Sequence, residues 1–113
     1  MKYKTEILAT FKKEFKRLLK RYPSLIEDVK TLRQNLEAFP DLGTDLGGGL
    51  RKVRMRITSK GKGKSGGARV ITLTVIISTE ETEIDLLYIY DKAERSTISR
   101  KEIDELLTKN DLK

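Results

Sequence analysis

The chain has 113 residues, of which 37% are hydrophobic and 36% charged, and it contains neither cysteine nor histidine. This composition is typical of a globular protein, and the two absences exclude a disulfide framework and remove the usual ligands of a zinc site. The formal net charge of +7 indicates a polyanionic partner, which is a nucleic acid, an acidic membrane surface or an acidic protein.

The first predicted elements are a short strand at residues 2–9 and a helix with Thr10 as its N-cap. Apolar residues of this helix recur at helical spacing at Phe11, Phe15, Leu18, Leu19 and Tyr22. Its opposite face carries Lys12, Lys13, Lys16, Arg17, Lys20 and Arg21. A basic amphipathic helix can bind a lipid surface or a nucleic acid. An apolar stripe with charges opposite is more often an ordinary surface helix, and we favour that reading.

A second helix follows directly. Pro23 ends the first helix, and Ser24 with Glu27 has the spacing of a capping box. The apolar stripe after it predicts a helix from about Leu25 to Ala38. Because the Y-P-S connection is short, we expect the two helices to form an antiparallel hairpin.

Three strands are predicted in the second half of the chain. Residues 40–49 contain four glycines and are predicted to form a loop. Strands follow at about 51–58, 68–78 and 83–90, and their short connections make them an antiparallel meander. The loop at 59–67, rich in glycine and lysine, is expected to be mobile.

A second capping box, Ser99 with Glu102, begins the last helix, whose buried face carries Ile103, Leu106 and Leu107. The order of elements is therefore β-α-α-β-β-β-α, which predicts an α+β protein of a single domain over residues 1–113. We expect all helices to cover one face of an antiparallel sheet, giving two layers and leaving the other face to basic side chains.

The stretch from Gly47 to Ile71 is the most basic part of the chain and contains no carboxylate. Its eight Lys and Arg residues are Arg51, Lys52, Arg54, Arg56, Lys60, Lys62, Lys64 and Arg69. Arg54 and Arg69 lie on adjacent predicted strands, where they can hold one phosphate by forked hydrogen bonds. Lys52 and Lys92 come from neighbouring strand ends and can join them.

Two kinds of function fit such a cluster. RNA supplies its own nucleophile, the 2′-hydroxyl, so a protein that aligns it and stabilises the phosphorane cleaves RNA without a metal ion. Crowded cations also lower a lysine pKa and so provide a base without histidine. The alternative is a non-catalytic RNA- or ribosome-binding module, which residue types alone favour because positive patches serve binding more often than catalysis.

A longer pattern resembles a known family. The run G-G-G-L-R-K-V-R-M-R-I-T-S-K-G-K-G-K-S-G-G-A-R-V-I, followed by L-L-Y-I-Y-D-K-A-E, resembles the RelE/HigB toxins of bacterial type II toxin–antitoxin systems, the HigB-like branch in particular. The resemblance implies a ribosome-dependent mRNA endonuclease (an mRNA interferase) that cuts the A-site codon and inhibits translation. It also implies contacts with messenger and ribosomal RNA, a cognate antitoxin, and no metal or other cofactor.

By the same resemblance, the family's catalytic basic positions match Lys52, Arg54, Arg69 and Lys92, with Arg69 contacting the scissile phosphate. Ribosomal RNA or message would be contacted by Arg51, Arg56, Lys60, Lys62 and Lys64. The chain departs from the RelE pattern at Ala93, where an arginine is expected, and at Ser99, where a catalytic tyrosine is expected. Tyr90 and Asp91 are then the nearest candidates for acid and base.

Other readings remain open at this stage. A ParE-like toxin that inhibits gyrase shares the fold, although that branch lacks the basic loop. An acidic-lipid binder depends only on the basic face of the first helix, and no apolar run reaches the ~20 residues that cross a bilayer. No signal-peptide core follows the N-terminus, so we expect a cytoplasmic protein without a membrane partner. An acidic or flexible antitoxin segment is expected to cover either the basic face or the helical hairpin.

Overall fold

A computed structural model describes residues 2–61 and 63–113. The elements are β1 (Lys2–Ile7), α1 (Ala9–Leu19), α2 (Leu25–Ala38), β2 (Thr44–Gly47), β3 (Leu50–Met55), β4 (Ala68–Ile76), β5 (Glu81–Asp91) and α3 (Arg100–Lys109), with 3₁₀ turns at Thr58–Lys60 and Lys64–Gly66. The α+β class and the order of the predicted elements are confirmed. One strand was missed, because β2 lies in the segment predicted to be a loop.

The sheet has the strand order β1-β5-β4-β3-β2. β3, β4 and β5 form the predicted antiparallel meander. β1 runs parallel to β5, so the sheet is mixed and the prediction of an all-antiparallel sheet was wrong at this edge. A parallel pair needs a long connection, and here the two helices and the strands β2, β3 and β4 all lie between β1 and β5 in the chain.

β2 and β3 are joined by a tight glycine turn. Gly47, Gly48 and Gly49 all adopt positive φ, from 63° to 86°, which glycine reaches without a steric penalty. The glycines were read as a loop signal, but they form the turn of a short hairpin whose register pairs Thr44 with Lys52. β2 ends its pairing there, so β3 continues beyond Lys52 without a partner strand on that side among the described residues.

The helical hairpin packs on one face of the sheet. Its core includes the fully buried Phe11, Leu18, Leu25 and Leu36 of the helices. The strands contribute Val53, Met55, Val70, Leu86 and Ile89 to the same core. α2 has the predicted bounds, since its apolar stripe of four buried residues recurs at helical spacing.

α3 packs on the opposite face, so the expectation that all helices share one face was wrong. Its Ile103, Leu106 and Leu107 meet Leu50, Ile71, Leu87 and Tyr90 of the sheet. The physical reason is that the central strands are apolar on both faces, and an exposed apolar face must be covered. α3 covers only part of this face, and the side chains of Lys52 and Arg54 lie on the remainder.

Two predicted caps differ from the structure. α1 begins at Ala9, and Thr10 lies inside it, where its hydroxyl donates to the carbonyl of Leu87. Ser24 does not cap α2, because its hydroxyl donates to Asp28 (2.7 Å) instead. The Ser99 cap is confirmed: its hydroxyl accepts from the Glu102 N–H, and the Glu102 carboxylate accepts from the Ser99 N–H, each at 3.1 Å.

Candidate nucleic-acid interface

The sheet register places three predicted site residues in one row. Arg54 is opposite Arg69, and Arg69 is opposite Tyr90 on the next strand. Directly opposed residues share a face of the sheet, so these three side chains lie side by side. Burial lowers the pKa of Arg69 below its ordinary value, and the positive charge of Arg54 lowers it further. The predicted meeting of the two arginines is therefore present in the structure.

Arg69 lies beneath the loop between β3 and β4, which we call the basic loop. The residue is 5% exposed, and its guanidinium donates to the carbonyls of Lys64 (3.0 Å), Ser65 (3.1 Å) and Ala68 (3.2 Å). Within the described part of the chain it has no carboxylate partner. Arg69 thus holds the loop against the sheet and leaves a buried, uncompensated positive charge under the surface.

Tyr90 carries a buried hydroxyl that forms no hydrogen bond with the described residues. Burial raises the pKa of Tyr90, and the nearby charges of Arg69 and Arg95 oppose that rise. The Arg95 guanidinium carbon lies 5.5 Å from the centre of the Tyr90 ring. An unsatisfied buried hydroxyl costs about 1–3 kcal/mol, and a catalytic role is one reason for which a protein retains such a group.

Arg95 was not predicted from the sequence. It donates to both carboxylate oxygens of Glu102, at 2.9 and 2.7 Å, and to the carbonyl of Thr97. Glu102 also belongs to the capping box of α3, so the N-terminus of that helix holds Arg95 over Tyr90. The available signal was an arginine seven residues before a capping glutamate, which by itself does not specify a site.

A cleft of about 470 Å³ opens beside this row, between α2 and the unpaired part of β3. Four basic residues line it: Lys52, Arg54, Arg56 and Lys64. None of the four forms an ion pair within residues 2–61 and 63–113. Unpaired cations around a concave surface concentrate positive potential there, which attracts a polyanion. We call this feature, with its four basic residues, the basic cleft.

One carboxylate also lines the basic cleft. Asp28 accepts hydrogen bonds from the Thr58 N–H (2.9 Å), the Thr58 hydroxyl (2.6 Å) and the Ser24 hydroxyl. These bonds tie the start of the basic loop to α2. They also engage both Asp28 oxygens, so the carboxylate is not paired with any of the four cations.

Two predicted site residues form a separate buried pair on the other side of the sheet. Asp91 is fully buried and accepts hydrogen bonds from Tyr22 (2.7 Å) and the Ala93 N–H (3.0 Å) as well as from Lys60. Burial alone would raise the pKa of Asp91, but the hydrogen bonds from Lys60, Tyr22 and Ala93 lower it below its ordinary value. The structure therefore does not bring Lys60 or Asp91 into the row or the cleft.

The remaining predicted residues are dispersed. Lys92 donates to the Ser96 carbonyl (2.9 Å) in the turn after β5 and is not among the residues that line the basic cleft. Arg51 points toward the segment that precedes β2, where it donates to the carbonyls of residues 41–43. Lys62 lies outside the described residues. Of the predicted set, Lys52, Arg54, Arg56 and Lys64 share the cleft, with Arg69 and Tyr90 in the adjoining row.

Three further findings bear on function. Among the described residues, no helix combines the length and apolarity needed to cross a bilayer. The same residues hold no group of three or more Asp or Glu side chains arranged to bind a metal ion. The sequence matches a protein-family model over residues 3–111. That family is described as the RelE toxin of the RelE/RelB toxin–antitoxin system.

Proposed function

We propose, because the chain belongs to the RelE toxin family, that it is a ribosome-dependent mRNA endonuclease of the HigB-like kind. Family membership makes it a toxin of a toxin–antitoxin system. The observation that supports nuclease activity is the basic cleft, in which four cations without an ion-pair partner in residues 2–61 and 63–113 adjoin the buried charge of Arg69. The substrate we assign is messenger RNA in the ribosomal A site, and the place of action is the cytoplasm.

The cations divide into two roles by position. Arg54 lies both in the row and in the cleft, so we assign it, with Lys52, to the scissile phosphate. Arg69 lies below them and stabilises the phosphorane by its field, because its Nη1 and Nη2 groups donate to loop carbonyls. Arg56 and Lys64 are exposed and bind flanking phosphates of message or ribosomal RNA.

The cleavage is a transesterification of the RNA. The 2′-hydroxyl loses its proton to water as the 2′-oxygen bonds to phosphorus, and the bond from phosphorus to the 5′-oxygen breaks, which leaves a 2′,3′-cyclic phosphate and a 5′-hydroxyl. The 5′-oxygen must gain a proton. Burial keeps the phenol of Tyr90 protonated, and its hydroxyl forms no hydrogen bond with the described residues, so we assign it as the proton donor once RNA binding exposes that hydroxyl. Lys92 lies in the turn after β5, two residues after Tyr90, and we assign it a supporting positive charge. We assign Asp91 a structural role.

The test is cleavage of a message on programmed ribosomes, with free RNA as a second substrate. Arg54→Ala is expected to lower the cleavage rate about 10²- to 10³-fold, the loss typical of removing one transition-state donor. Lys101→Ala is the matched control, since Lys101 is an exposed cation on α3 away from the cleft. Wild-type protein should cut only on ribosomes. Equal rates for Arg54→Ala and the wild type would contradict the assignment.

A non-catalytic RNA- or ribosome-binding module is the second candidate. The burial of Arg69 under the loop favours it, since a covered arginine contacts no substrate in this conformation. Such a module would bind ribosomes, and Arg54→Ala would weaken that binding, but the wild-type protein would leave the message intact. Inhibition of gyrase-driven supercoiling would instead indicate the ParE-like alternative.

The RelE family implies an antitoxin partner. We propose that an acidic antitoxin segment covers the basic cleft, because its four cations lack partners among the described residues. Binding of the antitoxin should then weaken as ionic strength rises. Affinity that is unchanged between low and high salt would count against this surface.

A further inference from the structure

We propose that the α2 wall of the basic cleft reads one nucleobase of the message next to the scissile phosphate. This inference rests on the proposed function and adds a specificity site to it. The residue we assign to the reading is Asn35, with Thr31 beside it one turn earlier on the same helix. Both are exposed and line the cleft opposite the four cations.

Asn35 has unused hydrogen-bonding capacity. No hydrogen bond of its side chain is formed with the described part of the chain, whereas the neighbouring Asp28 is fully engaged. An amide offers a donor and an acceptor side by side, which is the pattern that distinguishes one base edge from another. A polar side chain on a helix face above a cleft, without a partner in the part of the chain that the structure describes, is available for that contact.

The floor of the cleft suits the face of a base. It is formed by Leu32, Leu42, Val53 and Met55, and three of these are at least 95% buried within the core. A nucleobase has apolar faces and a polar edge, so it can rest on this floor while its edge meets α2. The phosphates and sugars on either side then lie against the basic wall.

The dimensions favour a nucleotide over a β-strand added to the edge of β3. A volume of about 470 Å³ is within the range of small-ligand sites. β3 extends only from Val53 to Met55 beyond its pairing with β2, which is too short an edge to add a strand of usual length. Arg54 belongs to both the row and the cleft, so a base in the cleft is adjacent to the phosphate assigned to Arg54.

The experiment compares Asn35→Ala with Gln34→Ala on programmed ribosomes. Messages carry each of the four nucleotides in turn at each position of the A-site codon, and the ratio of cleavage rates between nucleotides is measured. Gln34 is the matched control, because it is an exposed amide on the same helix that lines the groove toward α1 instead. Alanine favours a helix more than asparagine does, so the variant should fold.

Asn35→Ala is expected to reduce the preference at one codon position about tenfold, and Gln34→Ala to leave it unchanged. Preference ratios equal to those of the wild type in Asn35→Ala would overturn the inference. If wild-type protein cuts nothing, the proposed nuclease fails, and the inference is decided by fluorescence anisotropy with the four labelled homohexaribonucleotides. A base preference that Asn35→Ala removes would support the site in that case, and its absence would overturn it.

A peptide occupant has its own outcome. Poly-glutamate is added as the probe of acidic peptide binding, with and without the labelled RNA. Displacement of poly-glutamate by RNA in the wild type, with base preference lost in Asn35→Ala, supports the nucleotide site. Loss of poly-glutamate binding in Asn35→Ala, with base preference retained, would assign the α2 wall to a peptide and refute our proposal.

Discussion

Replacing Lys60 with methionine separates two roles for this lysine. The loop sequence predicts that Lys60 contacts RNA, whereas the structure pairs it with Asp91 and the Gly66 carbonyl. Its side chain is 10% exposed and that of Asp91 is fully buried. Removing one partner of a buried ion pair costs about 3–5 kcal/mol, because the other charge is left without compensation.

Asp91 keeps two hydrogen bonds in the variant, from Tyr22 and the Ala93 N–H, so we expect the lower end of that range, about 3 kcal/mol. For a chain of this length a loss of 1 kcal/mol lowers the melting temperature by roughly 4 °C, which gives a fall of roughly 12 °C. The assay is urea denaturation at pH 7, checked by thermal melting. Lys101→Met is the control, since Lys101 is an exposed lysine.

The double variant Lys60→Met/Asp91→Asn completes the test. Neutralising the orphaned carboxylate should recover a substantial part of the loss, because the desolvated charge is removed. A Lys60→Met protein within 1 kcal/mol of the wild type would refute the reasoning. If the stability of Lys60→Met is unchanged but its RNA binding is weaker and depends less on salt, Lys60 contacts RNA as the sequence predicts.

Two further changes test individual groups. Burial, and then Glu83 and Glu6, raise the pKa of Asp85 from its ordinary value of 3.8 to about 7. Between these two pH values the folded state keeps a proton on Asp85 that the unfolded chain has released. Stability should therefore fall as the pH rises from about 4 to about 7, and Asp85→Asn should be more stable than the wild type by up to about 4 kcal/mol at pH 8 and equal to it at pH 4; equal denaturation curves at pH 8 would contradict this. Tyr90→Phe removes a hydroxyl that has no hydrogen-bond partner among the described residues, so stability should not fall, while loss of the proton donor should slow cleavage about 10²-fold; an unchanged cleavage rate would exclude Tyr90 as the acid.

The two S-x-x-E patterns show how far local sequence reaches. Ser99 and Glu102 form the predicted capping box. Ser24 and Glu27 have the same spacing, but the Ser24 hydroxyl bonds to Asp28 and accepts from the Ser59 N–H. Ser59 is 35 residues away in the chain, so a partner brought by the tertiary structure displaced the local cap. A capping pattern predicts a helix start better than it predicts the bonds made there.

The predictions for the basic stretch from Gly47 to Ile71 were also partly within reach of local sequence and partly dependent on tertiary structure. Alternation along β3 and its predicted pairing with the next strand were enough to predict that Arg54 and Arg69 can share a face, because the strand period is a local property. The burial of Arg69 under loop carbonyls was not predictable, since it depends on how the loop folds back. The ion pair of Lys60 with Asp91 was not predictable either, because the two residues are 31 positions apart in the chain.

The sequence by itself determined the class of fold, the helical hairpin, the strand meander and the concentration of positive charge, because each follows from periodicity, capping and composition within a short segment. Only the tertiary structure decided that α3 covers the second face, that β1 is parallel, and that α2 meets the open edge of β3 to form the basic cleft. These features depend on which apolar surfaces bury one another over long sequence separations. Local patterns state that a surface must be covered, and packing selects the element that covers it.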